Sequence, residues 1–456
     1  MFITQYCRAI LKMSTLPIVV VLGATGTGKS KLSIALAKRF EGEVINADSM
    51  QVYRGLDIVT NKITDAERAE CPHHLLGFLD PLRMFHVFDF QEQCLSIVER
   101  LAEQKKLPVI VGGTHYYIES VIWNVLLANN REDSEQEKVE TSSGSDDLIG
   151  EFPREHLLDP LTHLTYVPTL ELHGLLKSVD PETADTLHPN ERRKILRSLQ
   201  VFASHKKRHS ELIAAQKAEA GGSSLGGPLR FPNAVLLWLQ CDEDVLDERI
   251  NNRVDQMVEA GLVDECRNFH KSVASHKSEL DYTKGIFQSI GLKELHDFLM
   301  LSPEDQESEQ GQKYLEEGLQ NVKARTRKYA KKQIQWIRNR LLKRSDRQLP
   351  HVFGLDATDL SRWPEVESKA FEIVDTILSA KKPSVEPLPQ EFRAEDVRST
   401  NVCKVCERVF VSGNQWKEHL SSRFHKKRMN KQRKKLHALE VRRERPTALQ
   451  TVPEPS

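Results

Sequence analysis

Apolar residues in this chain fall into two patterns: short unbroken runs, and longer stretches where they recur every three or four positions. Residues 17–22 (PIVVVL), 107–111 (LPVIV) and 234–239 (AVLLWL) are unbroken and of strand length. They read as strands buried on both faces of a parallel sheet. Glu43 to Asp48 is a shorter strand that ends in a carboxylate. Between the runs the helical period takes over. Lys31 to Phe40 turns Leu32, Ile34, Ala35, Leu36 and Phe40 to its apolar side, and residues 57–106 read as mainly helical, most clearly from Phe88 to Leu101. Thr169 to Lys217 reads as helices broken near Pro181 and Pro189, and Trp363 to Leu378 as a last amphipathic helix. Strands alternating with helices predict an α/β fold with a parallel-sheet core.

Composition then divides the chain. Its 456 residues carry 65 basic and 65 acidic side chains, so net charge says nothing about partners. Seven cysteines, five of them scattered, argue for a reducing compartment rather than a disulfide framework. No apolar run reaches the length of a membrane span. Residues 1–16 contain Arg8 and Lys12 and no acid, as in a short mitochondrial presequence or a disordered leader; Met13 offers a second start without it. The expected layout is a leader (1–16), a first part of the core (17–130), an acidic loop and helical insertion (131–230), a second part of the core (231–380), a linker (381–398), a metal-binding module (399–430) and a basic tail (431–456). Nine acidic and three basic residues from Arg131 to Glu155 read as a flexible loop, and Gly221 to Gly227 as a flexible return.

Chemistry enters where the first strand ends. Gly23-Ala24-Thr25-Gly26-Thr27-Gly28-Lys29-Ser30 fits the phosphate loop G-x-x-x-x-G-K-[ST] in full, between a strand and a helix as the motif requires. Backbone N–H groups from Thr25 to Ser30 would surround phosphate oxygens, Lys29 would bridge them, and the Ser30 hydroxyl would hold Mg²⁺. Asp48 ends a second strand and faces the same crevice. From the residues alone it is a metal-site carboxylate, a helix cap or a catalytic base. Asp242, after the strand at 234–239, reads as a helix cap rather than a metal ligand. Cys71-Pro72-His73-His74 lacks metal spacing and reads as a loop.

Several stretches together resemble the tRNA dimethylallyltransferases, also called tRNA isopentenyltransferases. They are Gly23–Ser30, Asp48-Ser49-Met50-Gln51-Val52-Tyr53-Arg54-Gly55-Leu56-Asp57, Pro72–Leu75, Gly112-Gly113-Thr114-His115-Tyr116-Tyr117, His188–Lys194, Gln288–Glu294 and Thr326–Gln333. The likeness runs from residue 17 to about 345, and with the tail described next it is to the eukaryotic branch. It implies transfer of a dimethylallyl group from dimethylallyl diphosphate to N6 of the adenosine 3′-adjacent to the anticodon. It implies Asp48 as base, with Thr114 and Arg253 beside it, and Arg249 as a second diphosphate arginine. The tRNA contacts it implies are Asp48, Ser49, Met50, Gln51, Arg192, Arg193, Lys194, Arg327, Lys331 and Gln333.

Two basic stretches support an RNA partner. Lys323 to Arg344 holds ten basic residues and no acidic one, and as a helix it puts Tyr329, Gln333, Trp336 and Ile337 on one side. Arg423 to Arg445 holds eleven basic and two acidic residues, an RNA contact or a nuclear address. Cys403 and Cys406, with His419 and His425, have Cys₂His₂ spacing for structural Zn²⁺, with Phe410 and Leu420 as the small core. The expected protein is a monomer of mitochondrion and cytoplasm, with a nuclear fraction, that binds the tRNA anticodon stem-loop. Rival readings are a phosphate-loop kinase of a nucleoside or small metabolite, which leaves the basic helices unexplained, and a non-catalytic RNA scaffold.

Overall fold

The computed structural model describes residues 17–124, 148–150, 152–158, 163–218, 220–223, 225–274, 281–344, 347–390 and 400–443. The chain divides into two compact units: residues 1–128 with 219–393, and residues 129–218 with 394–456. The leader and most of the acidic loop lie outside the described residues.

The first unit is built on six parallel strands. They are β1 (Val19–Gly23), β2 (Glu43–Asn46), β3 (His73–His74), β4 (Pro108–Val111), β5 (Val235–Gln240) and β6 (Val352–Asp356), in the order β3-β2-β4-β1-β5-β6. β1 is central, with Val20 opposite Ile110 on one side and Leu236 on the other. The unbroken apolar runs follow from burial on both faces. Val20, Leu22, Ile45, Ile110 and Leu236 pack on Phe90, Cys94, Val98, Ile118 and Trp123, from α2 (Val87–Glu103), α3 (His115–Ile122) and the residue after it. Val19, Val21, Val44, Val109 and Leu237 pack instead on Leu32 and Leu36 of α1 (Lys29–Arg39) and on Val366 and Ile373 of α7 (Trp363–Leu378).

Two strands of this sheet escaped the sequence reading. β3 is the Cys-Pro-His-His stretch read as a loop, and it pairs with Val44 and Ile45 at the sheet edge. There the Glu43 carboxylate, its pKa held down by Lys106 and His74 against the cost of burial, lies 2.6 Å from His74. β6 pairs along the whole of β5. The glycine-rich return at 221–227 is not loose: Trp123 bridges to Leu229, and the Ser223 hydroxyl donates to the Gly226 carbonyl. Residues 219–230 thus belong to the first unit, not to the insertion. The proline-rich linker also begins later than expected, since Leu388 N–H donates to Val352 of β6 at 2.7 Å.

The longer of the remaining helices in this unit are α4 (Glu243–Glu259), α5 (Leu262–Ala274) and α6 (Glu309–Ile337), the last continuing as a π-helical turn over Arg338–Leu342. In the second unit, helices Thr169–Val179, Pro181–Thr186, Arg192–His205 and His209–Ala218 include the buried Leu172, Leu176, Ile195 and Leu199. It also holds an antiparallel hairpin, Asn401–Cys403 with Arg408–Phe410, and helices Gly413–Ser421 and Arg423–Arg443.

Candidate active site

The site lies at the carboxyl ends of β1, β2, β4 and β5. The loop after β1 turns through Gly26 and Gly28, both at φ +90°, which glycine alone adopts without strain. A Cβ on Gly28 would also stand 2.6 Å from the Trp363 ring. Lys29 Nζ donates to the Ala24 carbonyl at 2.7 Å, and the buried Thr27 hydroxyl donates to the same oxygen at 2.9 Å. Burial lowers the Lys29 pKa to about 8, against the pull of Asp48 and helped by the charge of Arg253. Arg253, on α4, donates from Nη2 to the Thr25 hydroxyl at 2.7 Å. Burial lowers its pKa to about 10, again opposed by Asp48. The Arg253 Nε is buried with no hydrogen-bond partner. Two partly desolvated cations and an orphaned donor beside this loop are an arrangement chemically able to hold a polyanion.

Asp48 leaves the end of β2 toward these groups. Its Oδ1 accepts the Met50 N–H at 3.0 Å. Burial raises the Asp48 pKa, opposed by the N–H groups of Met50, Gln51 and Gly113 and by Lys29. The neighbouring strand brings Gly112-Gly113-Thr114 alongside. A Cβ on Gly112 would sit 2.2 Å from the Ala47 carbonyl carbon, so only glycine permits the two strand ends to touch. Thr114 N–H donates to Ala47 at 3.1 Å, and its hydroxyl accepts from Ser49 N–H at 2.9 Å and donates to Ser49 Oγ at 3.0 Å. Asp48, Ser49 and Thr114 therefore form one polar rim.

From above, α6 closes that rim against the phosphate loop. Gln333, 3% exposed, accepts the Thr25 N–H at 2.8 Å and donates to the Gly113 carbonyl at 3.0 Å. Tyr329, one turn earlier, donates to the same carbonyl at 3.1 Å, and burial raises its pKa. Tyr329 was read only as part of an apolar side. Its i, i+4 spacing to Gln333 was the available signal. His115 was also missed: it is buried, its Nε2 has no partner, and burial with Lys29 nearby lowers its pKa to about 3.

Other expected contacts are placed differently. Gln333 is a buried clamp between two loops rather than an open RNA contact. Arg249 spends its guanidinium on the carbonyls of Ala357 (2.8 Å) and Thr358, tying α4 to the end of β6 instead of joining Lys29 and Arg253. Gln51 donates to the Thr60 and Asn61 carbonyls, and Met50 packs on a cluster that includes Leu56 and Phe287. Asp242 stands at the N-cap of α4, but its carboxylate bonds no helix N–H. Arg327 is held by Asn251 and lies 3.9 Å from Asp247; Lys331 pairs with Glu243. Ser30 is exposed on the first turn of α1. In the second unit, Arg192 grips the carbonyls of Leu164, Thr165 and Val167, while Lys194 pairs with Glu191 and Arg193 is exposed.

Also in the second unit, ligand atoms of Cys403, Cys406, His419 and His425 all lie within 4.8 Å of one another, and all four residues are buried. His425 Nδ1 is 3.5 Å from both sulfurs, and His419 Nε2 is buried without a partner. That geometry and donor set fit a tetrahedral Zn²⁺. The small core differs from expectation: Leu420 is 40% exposed, and Trp416 joins Phe410 and His419 in its place.

A parallel sheet with a phosphate loop, two half-buried cations and a carboxylate across from them marks the class of phosphate-loop α/β proteins, with a site suited to group transfer. Comparison with known proteins narrows the class. Residues 51–340 match the family described as IPP transferase, residues 16–71 that described as isopentenyl transferase, and residues 402–425 the zinc-finger of C2H2 type. The tRNA dimethylallyltransferase of Mus musculus is 42% identical over 427 residues, 92% of this chain and 87% of the relative. The Homo sapiens protein of that name is 41% identical over the same shares. A solved structure described as a eukaryotic dimethylallyltransferase acting on tRNA superposes with a TM-score of 0.74 at 28% identity, covering 94% of this chain and all of the other. The chain belongs to the IPP transferase family.

Proposed function

We propose that this protein transfers a dimethylallyl group from dimethylallyl diphosphate to N6 of the adenosine 3′-adjacent to the anticodon in tRNA, acting as a monomer. The observation that supports the reading is the opposition, across one crevice, of the Asp48 carboxylate and the half-buried Lys29 and Arg253, both of whose pKa values desolvation lowers. The loop N–H groups, Lys29 and the unpaired Arg253 Nε would hold the diphosphate. The allylic C–O bond breaks, its electron pair leaves with diphosphate, and these same groups stabilise the growing charge. The N6 lone pair forms the new C–N bond, and the amine proton, acidic only as that bond forms, passes to Asp48. Burial raises the Asp48 pKa and so makes the carboxylate a better base, while its N–H donors and Lys29 oppose that shift. The Thr114 hydroxyl, bonded to Ser49 beside Asp48, would help to orient the amine. Mg²⁺, held by the Ser30 hydroxyl, would supply charge shielding to the departing diphosphate. The target base must leave its stack to enter, a cost that a single-stranded loop keeps low. Zn²⁺ at the Cys₂His₂ cluster would be structural and would set the basic helix after it as a second RNA contact.

The experiment is incubation of the full chain with unmodified tRNA and either radiolabelled dimethylallyl diphosphate or γ-labelled ATP. Label from the allyl donor should appear in tRNA and yield isopentenyladenosine on digestion. Phosphoryl transfer from ATP would instead establish a kinase, and label in neither would leave an RNA-binding scaffold.

A further inference from the structure

Next to the catalytic rim, α6 presents a stripe that the proposed chemistry does not use. Tyr329 and Gln333 point at the Gly113 carbonyl; one position earlier at each turn are Lys328 and Lys332, and the same i, i+4 line continues to Trp336. Lys328 and Lys332 are exposed, and among the described residues neither has an acidic partner. Arg340, from the π-helical turn, lies over the Trp336 ring at 4.8 Å from its centroid. Tyr116 meets that indole edge to face, with centroids 6.2 Å apart and planes at 74°. It is 53% exposed and stands two residues from Thr114. An aromatic half open to solvent, backed by a cation-capped tryptophan at the end of a lysine stripe, combines the two features that hold single-stranded nucleic acid: a stacking surface and a phosphate track.

We propose that Tyr116 and Trp336 form the platform on which a base flanking the target adenosine stacks once the target has left the anticodon loop, with Lys328 and Lys332 holding the adjoining phosphates. The inference rests on the tRNA-modifying function proposed above. Flipping one base out strips its neighbours of a stacking partner, and a surface beside the catalytic rim replaces what they lose.

The test uses the full chain, a synthetic anticodon stem-loop and saturating donor under single-turnover conditions. Tyr116→Ala and Trp336→Ala should each raise the half-saturating RNA concentration roughly 5- to 150-fold, the range for removing one base–aromatic stack. Tyr116→Phe should restore it, and the donor KM at saturating RNA should not move. The loss should persist as salt rises, whereas the losses in Lys328→Ala and Lys332→Ala should shrink. An RNA abasic at the flanking position should weaken wild type by the same factor as Tyr116→Ala, with no further loss when the two are combined. Additive losses in that pairing, or a Tyr116→Ala chain that saturates like wild type, would overturn the platform. A wild-type chain with no transfer to the intact stem-loop would instead sink the functional reading itself.

Discussion

Replacing Gln333 by methionine, similar in volume and without the amide, tests what α6 does above the phosphate loop. Two bonds are lost: the Gln333 Oε1 that accepts Thr25 N–H at 2.8 Å and the Nε2 that donates to Gly113 at 3.0 Å. The Gly113 carbonyl keeps the Tyr329 hydroxyl, so the cost falls on the Thr25 N–H. Leaving a backbone donor unsatisfied costs about 1–3 kcal/mol when it is fully buried, which is the upper bound for the half-buried Thr25. With a urea slope of a few kcal/mol per molar, the unfolding midpoint of the first unit should fall by on the order of 0.5–1 M. Four of the five tryptophans, Trp123, Trp238, Trp336 and Trp363, lie in that unit, so fluorescence follows it selectively. Because Thr25 is a loop residue and also receives Arg253, the same loosening should raise the donor KM by up to about tenfold per 1.4 kcal/mol. Affinity for tRNA should change less than twofold, since the amide is buried. If tRNA affinity collapses while the midpoint and donor KM stay at wild-type values, Gln333 is an RNA contact and the clamp has no energetic weight.

Asp48→Asn should bind tRNA normally and lose about 10²–10⁴ in single-turnover rate, the value of general base catalysis. Since burial raises the Asp48 pKa, the acid limb of the wild-type pH–rate profile should lie above the ordinary aspartate range and vanish in the variant; near-normal turnover would remove Asp48 from the reaction. Lys29→Ala and Arg253→Ala should weaken donor use far more than tRNA binding, and the wild-type donor KM should rise above about pH 8, where free Lys29 loses its proton. A flat donor KM to pH 10 would contradict that assignment. Deleting residues 396–456, or replacing Cys403 by serine, should lower tRNA affinity at low salt, with the gap to wild type narrowing as salt rises, while transfer persists at saturating tRNA. A deletion variant inactive at saturating tRNA would show that the tail belongs to the catalytic unit.

The strand–loop–helix from Pro17 to Arg39 was legible because motif, apolar run and helical period agree over one short stretch. Residues 43–48 and 107–114 were legible for the same reason. β3 was not, because two residues cannot display a period, and β6 had its five residues overlooked among polar and proline neighbours. Side-chain roles were harder still. Arg192, Arg249 and Gln333 have the composition of ligand-binding residues, yet each is satisfied by backbone carbonyls or N–H groups that lie far away in sequence or outside regular structure. Nothing local marks an arginine whose acceptors come from a separate segment. Arg253 was read as a ligand residue and has, in its buried Nε, a donor still free to meet one.

Gly28 lacks room for a side chain because Trp363 lies against it, and Lys31 reaches over the same indole at 4.9 Å. The phosphate loop is among the first parts of this unit to leave the ribosome. The residue that seals it arrives only after the insertion, the basic helix and β6 have been made. A nascent chain, or one cut short by a premature stop before Trp363, carries the whole recognisable motif with its outer wall missing. Messages truncated late in the reading frame should therefore yield protein that keeps the loop's sequence without the indole that packs against Gly28. The point of no return in making this site is the start of α7, well past residue 340, where the family match ends.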